Sequence, residues 1–132
     1  MRIAVTGANS SVGQALLAYL LKHNDIDVVV NAGVRRQTAA SALPHHPSIT
    51  PYVIQYADDA SLDRLLKGAN CVVHLAGILI ESPLTNYQSA NVDATCAVVS
   101  AAQRAKTSHF VLVSALGANA RSTNSYYRSK GE

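Results

Sequence analysis

Three polar residues near the end of the chain have the types and spacing needed for proton transfer. Tyr126 and Lys130 are four residues apart, and a helix that begins near Asn124 or Ser125 places them on one face. An ammonium close to a phenol lowers the phenol's pKa from about 10, which makes it a usable acid or base near neutral pH. Ser114 stands just past an apolar run, about a dozen residues before the pair. We therefore predict a catalytic group made of Ser114, Tyr126 and Lys130.

A glycine-containing turn near the N-terminus is suited to bind a pyrophosphate. Gly7 and Gly13 flank the turn TGANSSVG, which follows the first apolar run and opens an amphipathic stretch. In a dinucleotide-binding turn, one glycine permits the turn, another lets helix and strand pack closely, and unpaired helix amides meet the phosphates. Ser10 stands where a third glycine is usual, so either its Cβ crowds the phosphates or its hydroxyl bonds them. The alternative is an ordinary loop between a strand and a helix.

Two arginines follow the second apolar run, at the position that distinguishes NAD from NADP. An acid there binds the ribose 2′-hydroxyl of NAD, whereas an arginine accommodates the 2′-phosphate of NADP. The chain has Arg35 and Arg36 and no acid at this position. Planar guanidinium groups suit a phosphate, so the sequence favours NADP over NAD. The alternative is that both arginines lie on a solvated loop.

These residues must be positioned by alternating strands and helices. Strands are predicted at residues 2–6, 27–34, 51–56, 71–75 and 110–113. Helices are predicted at residues 12–21, 60–66 and 87–106, and from about residue 125. Continuous apolar strands are buried on both faces, which is typical of a parallel sheet covered by helices. We predict an α/β fold: a Rossmann-type, doubly wound parallel sheet of about five strands, ordered 3-2-1-4-5, in three α/β/α layers.

Composition narrows the class further. The 132 residues are 48% hydrophobic and 14% charged, which predicts one compact domain. The net charge is only +3, with scattered basic residues and seven aromatic ones, so no nucleic-acid partner is expected. No apolar run approaches the roughly 18 residues of a membrane span, and the N-terminus lacks a signal-peptide pattern. We expect a cytoplasmic protein.

The cysteines and histidines are interpreted as structural residues. Cys71 and Cys96 lie in apolar stretches, which predicts buried thiols in a reducing compartment rather than a disulfide. His74 lies in a buried strand and is interpreted as a core histidine, whereas His45 and His46 lie in a loop that we expect to be exposed. No grouping of His, Cys, Asp and Glu has the spacing of metal ligands, so no metal site is predicted.

A family resemblance is carried by several short segments, which follow one another in a characteristic order and span essentially the whole chain. They are TGANSSVG at residues 6–13, the arginine after the second strand, HLAG at 74–77, VSALGA at 113–118 and YYRSKGE at 126–132. With them the chain resembles the atypical and extended short-chain dehydrogenases of the NAD-dependent epimerase/dehydratase superfamily. It is most similar to NAD(P)-binding proteins like the accessory subunit of respiratory complex I, with NmrA-like proteins and sugar-nucleotide epimerases as more distant relatives.

The resemblance implies a site for NADP or NAD and a place in it for each matching residue. The turn that binds the pyrophosphate would consist of Gly7, Asn9, Ser10, Ser11, Val12 and Gly13. Arg35 would contact the adenosine ribose or its phosphate. Gln55, Tyr56 and Ala57 would lie beside adenine, and Leu75, Ala76 and Gly77 beneath the adenosine ribose. Ser114, Tyr126 and Lys130 would lie at the nicotinamide end, with Asn91 either assisting a proton relay or lying on a helix surface.

The resemblance is compatible with more than one function. The first is an oxidoreductase or epimerase/dehydratase, in which hydride moves between nicotinamide and a substrate carbon. Tyr126 would then transfer the proton, Lys130 would hold the ribose and lower the tyrosine pKa, and Ser114 would steady the substrate oxygen. The alternative is a non-catalytic NAD(P)H-binding sensor or assembly factor. A third possibility is a flavin- or mononucleotide-binding domain of the same layered type.

The end of the chain bears on domain organisation. Glu132 follows Lys130 by two residues, inside an expected helix. Proteins of this type build the substrate pocket largely from residues beyond that helix. We therefore expect residues 1–132 to be the NAD(P)-binding domain of a longer protein, incomplete at its C-terminus, whose small-molecule substrate is not identified by this sequence. The exposed edge of the fifth strand would then be available for pairing with a second copy as a homodimer.

Overall fold

The computed structural model describes residues 1–23 and 27–132. The strands in this part of the chain are β1 (Arg2–Thr6), β2 (Val29–Val34), β3 (Ile49–Val53), β4 (Cys71–His74) and β5 (His109–Leu112). The α-helices are α1 (Ser11–Lys22), α2 (Gln37–Ser41), α3 (Asp59–Leu66), α4 (Ala94–Arg104) and α5 (Ser125–Gly131). A π-helical segment, Gln88–Asp93, directly precedes α4.

The strands form one parallel sheet in the order β3-β2-β1-β4-β5. Thr6 at the end of β1 pairs with Gly33 of β2 on one side and with His74 of β4 on the other. The carboxyl ends of these three strands therefore meet at one edge, where the strand order reverses. Ligands bind at this point in open α/β sheets. The predicted fold class, strand number and strand order are confirmed.

Alternate residues of β1 enter two different cores on opposite faces of the sheet. Ile3 and Val5 pack in one core with Leu17 of α1, and Ala4 packs in the other with Leu62 of α3. Leu17 and Leu62 are fully buried, and truncating such a side chain to alanine costs about 2–5 kcal/mol. Burial on both faces explains why the central strands are continuous apolar runs.

Side-chain caps fix the first residues of α3 and α5. Asp58 Oδ1 accepts a hydrogen bond from the Ala60 amide at 3.0 Å. Asn124 Oδ1 accepts from the amides of Tyr126 and Tyr127 at 2.9 and 3.2 Å. Replacing a cap of this kind by alanine costs about 1 kcal/mol. The predicted start of the last helix is confirmed.

Some elements differ from the sequence prediction. β3 begins at Ile49 rather than at residue 51. Helix α2 lies outside the predicted elements because its five residues have no apolar periodicity and its N-cap, Arg36, makes no side-chain cap bond. The helix predicted over 87–106 is α-helical only over Ala94–Arg104. Its first part is a π-helix, in which Asn91 is turned inward and bonds the loop after β4.

The prediction of two buried thiols is wrong for Cys96. Helix α4 turns Ala94, Val98 and Ala101 toward the core, so the helical period places Cys96 on the exposed face. Cys71 is half-buried in β4, and burial raises the pKa of its thiol. Both cysteines are free thiols.

Strand β5 lies at the edge of the sheet and is exposed along its whole length. Phe110, Val111, Leu112 and the following Val113 are apolar yet exposed. An edge strand presents unpaired amides and carbonyls to which another strand can bond. Pairing of two copies through β5 stays a prediction.

Candidate functional site

A cleft of about 930 Å³ opens at the carboxyl edge of the sheet. This volume lies within the range of about 300–1,000 Å³ that is usual for ligand sites. The predicted cofactor-binding residues that line it are Gly7, Asn9, Ser10, Arg35, Gln55, Tyr56, Ala57, Leu75, Ala76 and Gly77. Ser11, Val12 and Gly13 do not line it and form the first turn of α1. Other lining residues, including Thr38, Ile78, Leu84 and Asp93, were not predicted because they lie in segments without a recognisable motif.

Two glycines allow the turn after β1 to pack tightly. Gly7 has φ +69°, and a Cβ there would lie 3.0 Å from the backbone nitrogen of Ala76. A Cβ on Gly13 would lie 2.5 Å from the carbonyl oxygen of Gly7. Helix α1 therefore starts in direct contact with the end of β1, and the loop after β4 packs against the same turn.

Ser10 has a structural role in this turn, and its two predicted roles toward the phosphates stay predictions. Its hydroxyl caps α1 and accepts a hydrogen bond from the Gly13 amide at 3.0 Å. Among the described residues, the amides of Ser11 and Val12 have no hydrogen-bond acceptor. These two amides lie at the positive end of the helix dipole, so they are the donors available to an anion.

Arg35 and Arg36 directly follow β2, and both line the cleft. Both are exposed, and neither forms a salt bridge within the described part of the chain. Thr38 of the short helix α2 lines the cleft beside them. The structure thus provides two cationic side chains that are free to bind an anionic group in the cleft.

Tyr56 lines the cleft near β1. Burial raises the pKa of its phenol, and the charge of Arg35 acts in the opposite direction. The Gln55 amide donates to Ser61 Oγ at 3.0 Å, which fixes the backbone beside the tyrosine. The phenol of Tyr56 is therefore protonated at neutral pH, and the residue lies on the side of the cleft predicted for adenine.

His74 is a fully buried core histidine, as predicted. Thr95 Oγ1 donates its proton to the Asn91 carbonyl at 2.6 Å, so it accepts from His74 Nε2 at 3.0 Å. The Nδ1 atom is then an acceptor and takes the proton of Thr6 Oγ1 at 2.6 Å. Burial and the charge of Lys130 lower the pKa of His74 to about 4, so the imidazole is neutral at pH 7.

Asn91 is buried, so of its two predicted alternatives the helix-surface position is wrong. Its Oδ1 atom accepts from the Ile78 amide at 2.7 Å. Its Nδ2 atom donates to the Ile78 carbonyl at 3.2 Å and to Ser129 Oγ at 3.0 Å. A Cβ on Gly77 would lie 3.0 Å from Oδ1. Asn91 therefore joins the loop after β4 to helix α5; a part in a proton relay stays a prediction.

Lys130 and Ser114 lie together beside the cleft. Lys130 Nζ donates to the Val113 carbonyl at 3.0 Å and would be 3.6 Å from a Cβ on Gly77. Ser114 Oγ donates to the carbonyl oxygen of Lys130 at 2.9 Å. Burial lowers the pKa of the Lys130 ammonium. The ammonium is thus placed next to a residue that lines the cleft.

Tyr126 lies one turn before Lys130 on α5, as the spacing predicts. Its ring is half-buried, with centroids 5.9 Å from the Tyr87 ring and 5.4 Å from the Tyr127 ring. No hydrogen bond joins its phenol to Lys130 or Ser114 in the described part of the chain. The pairing of Tyr126 and Lys130 as acid and base stays a prediction.

Residues 1–23 and 27–132 lack two further features. No helix in these ranges is long and apolar enough to cross a membrane. No group of three or more His, Cys, Asp or Glu residues in them is arranged to hold a metal ion.

Comparison with known proteins extends these observations. A family model described as NAD(P)H-binding matches residues 7–131. The chain is also similar to a ceramide reductase of Caulobacter vibrioides, with 30% identity over 133 residues that cover 97% of this chain and 39% of that protein.

Solved structures share the fold at lower identity. A uronate dehydrogenase from Agrobacterium tumefaciens has a TM-score of 0.77 at 22% identity, covering 98% of this chain and 51% of that one. A UDP-glucuronic acid 4-epimerase from Bacillus cereus, in complex with NAD, has a TM-score of 0.76 at 20% identity, covering 99% and 49%. The chain thus spans about half or less of the length of each of these proteins.

Proposed function

The chain belongs to the NAD(P)H-binding family, and from this we propose that its cleft holds the dinucleotide for hydride transfer to or from an alcohol or carbonyl carbon. The observation that supports this most is the position of Lys130 Nζ beside Gly77, in the loop after β4, whereas Arg35 follows β2 on the other side of β1. A cation there suits the nicotinamide ribose, while the same helix carries Tyr126. Because the chain spans a minor part of the ceramide reductase, the activity and substrate of a whole protein are part of this proposal.

The first turn of α1 would bind the pyrophosphate. The amides of Ser11 and Val12 are available at the helix N-terminus, and the close approach of Gly13 to Gly7 holds that terminus against the end of β1. Ser10 would donate its hydroxyl proton to the phosphate, since that hydroxyl only accepts from the Gly13 amide, whereas the Ser10 amide already donates to the Gly7 carbonyl. Both features fit an anion bound by backbone amides.

Arg35 and Arg36 support NADP as the preferred dinucleotide. They are exposed, free of salt bridges in the described residues, and adjacent to the cleft. A 2′-phosphate would accept charge-assisted hydrogen bonds from a guanidinium, whereas NAD offers only a hydroxyl. The side of the cleft formed by Gln55 and Tyr56 would then face adenine.

Proton transfer to and from the substrate oxygen would be carried out by Tyr126, with Ser114 and Lys130 assisting it. When bound, the nicotinamide supplies or accepts the hydride. As the carbonyl carbon gains hydride, Tyr126 gives its phenol proton to the carbonyl oxygen; in the reverse direction the phenolate takes that proton back. The charge of Lys130 stabilises the phenolate. Ser114 would release the Lys130 carbonyl and donate to the substrate oxygen instead.

A second candidate function is a sensor or assembly module that binds the nucleotide without catalysis. Two contacts favour it: Ser114 Oγ donates to the Lys130 backbone, and Lys130 Nζ donates to the Val113 carbonyl. Both groups are therefore occupied within the protein.

The free thiols Cys71 and Cys96 suit a reducing compartment under either function, and we propose the cytoplasm as the location of the protein.

Tyr126→Phe and its neighbour Tyr127→Phe form a matched pair for testing this proposal. NADPH binding is measured by fluorescence, and turnover is measured with quinones, aldehydes and nucleotide sugars. Both variants should bind NADPH like the parent, but only Tyr126→Phe should lose turnover, by about 100-fold or more. Full turnover in Tyr126→Phe would exclude the tyrosine mechanism. NADPH binding without turnover of any substrate would favour the sensor.

A further inference from the structure

The loop between β4 and the π-helical segment, residues 78–87, presents large apolar side chains to solvent. Leu79, Ile80 and Leu84 are 68%, 77% and 92% exposed. Single exposed apolar residues are ordinary on protein surfaces, but three in one short loop indicate a binding surface. These three residues are called the apolar loop below.

Polar contacts hold the backbone of this loop in place. Tyr87 Oη donates to the Leu79 carbonyl at 2.9 Å, and Glu81 Oε1 accepts from the Tyr87 amide at 2.8 Å. Ser82 and Thr85 exchange two backbone hydrogen bonds, at 2.9 and 3.1 Å. The apolar side chains are therefore presented from a fixed frame, which lowers the entropy lost when a ligand binds to them.

The apolar loop adjoins both the cleft and Tyr126. Leu84 lines the cleft, as does Ile78 at the start of the segment. Tyr87 lies at the other end of the segment, with its ring centroid 5.9 Å from that of Tyr126. A molecule whose polar end reached Tyr126 would thus extend along apolar side chains.

The charges near this surface favour an uncharged ligand. Glu81 is the one charged residue in the sequence of 78–87. Arg128 shares a small pocket of about 210 Å³ with Glu81. Its guanidinium donates to the Ser122 carbonyl at 2.9 Å and to Ser125 Oγ at 3.2 Å. Because Glu81 lies in the same pocket as Arg128, the two charges offset each other there, and a carboxylate would meet Glu81 as well as the guanidinium.

We propose that the apolar loop binds the alkyl chain of an uncharged substrate whose alcohol or carbonyl group faces Tyr126. This inference rests on the proposed function, which places hydride transfer at that end of the cleft. It selects a long-chain alcohol or aldehyde over a sugar acid as the substrate class. The apolar surface and the fixed backbone supply affinity for the chain, and Tyr126 receives the polar end.

Methyl-labelled leucine and isoleucine report directly on all three side chains by NMR. The protein is titrated with straight-chain alcohols from 1-butanol to 1-octanol, with and without NADP⁺, and with glucuronate as the anionic comparison. We expect the methyl signals of Leu79, Ile80 and Leu84 to shift, with binding up to about fourfold tighter for each added methylene. Glucuronate should leave these signals unchanged.

Substituted variants test whether alkyl chains bind to the apolar loop rather than to exposed apolar residues in general. Replacing Leu79, Ile80 and Leu84 together by serine should abolish the dependence on chain length. Tyr19→Ser, at an exposed position on α1, should preserve it.

Several results would overturn the inference. One is an equal response to butanol and octanol; another is a stronger response to glucuronate. Methyl shifts that follow protein concentration without alcohol would show that a second copy covers the apolar loop. The readout is binding, so it remains interpretable whatever the comparison of Tyr126→Phe with Tyr127→Phe shows about catalysis.

Discussion

Gly13 and Gly7 approach so closely that a Cβ on Gly13 would lie 2.5 Å from the carbonyl oxygen of Gly7. Real Cβ atoms do not come this near to backbone, so any larger residue at position 13 must push α1 away from the end of β1. That movement would also displace the amides of Ser11 and Val12. The proposed pyrophosphate site therefore depends on the absence of a single side chain.

Gly13→Ala should weaken NADPH binding strongly and lower the free energy of unfolding. Alanine is about 1 kcal/mol better than glycine in a helix interior, so a loss in both measurements can only come from the steric clash. Ala15→Gly, on the exposed face of the same helix, should cost about 1 kcal/mol and leave NADPH affinity unchanged. If Gly13→Ala binds NADPH as tightly as the parent protein does, the proposed pyrophosphate-binding site is contradicted.

Arg35→Ala should reduce affinity for NADPH more than affinity for NADH. A hydrogen bond to a charged group is worth about 1.5–3 kcal/mol, which corresponds to a loss of roughly 10-fold to 100-fold for NADPH alone. Fluorescence titration with both dinucleotides measures the ratio. Lys22→Ala removes the same charge at the end of α1 and should leave the ratio as it is. An equal loss for both dinucleotides would show that Arg35 does not read a 2′-phosphate.

His74 should make stability depend on pH between about 6.5 and about 4. Its pKa is about 4 in the folded protein, against 6.5 in an unfolded chain. Between these values the unfolded state binds more protons, so the free energy of unfolding falls as the pH is lowered, by up to about 3 kcal/mol. Above pH 6.5 this contribution is fully present, and below pH 4 it declines no further.

Urea unfolding at successive pH values, compared between two variants, checks the histidine's contribution. His74→Gln should be less stable at pH 7, because it disturbs the bonds to Thr6 and Thr95, and should lose the histidine part of the pH dependence. His45→Gln, in an exposed loop, should keep the parent's dependence. The prediction fails if His74→Gln and the parent lose the same free energy over this range.

Local and periodic features of the fold were accessible from the sequence. The apolar runs identify the strands, and the turn around Gly7 and Gly13 marks the edge where the cleft opens. Asn124 signals the start of α5, because an asparagine cap acts within its own first turn. Each of these inferences uses residues that are close together in the chain.

Contacts between distant segments could not be predicted. Asn91 leaves the helical surface because it bonds Ile78 and Ser129, which are 13 and 38 residues away. Cys96 is exposed because the buried face of α4 is set by packing, which an alanine-rich helix barely encodes. The apolar loop contains no recognisable motif, and only its position beside the cleft indicates that it could bind a ligand.

The proposed binding site of the dinucleotide is tested most directly by NMR of the backbone amides of the isotope-labelled protein during titration with NADP⁺. The amides of Asn9, Ser11 and Val12 should show the largest shifts, because they would donate to or lie beside the pyrophosphate. Amides of residues 99–104 in the second half of α4, which do not line the cleft, should change little. Unchanged signals at Ser11 and Val12 in the presence of saturating NADP⁺, or the largest shifts far from this turn, would contradict the proposed site.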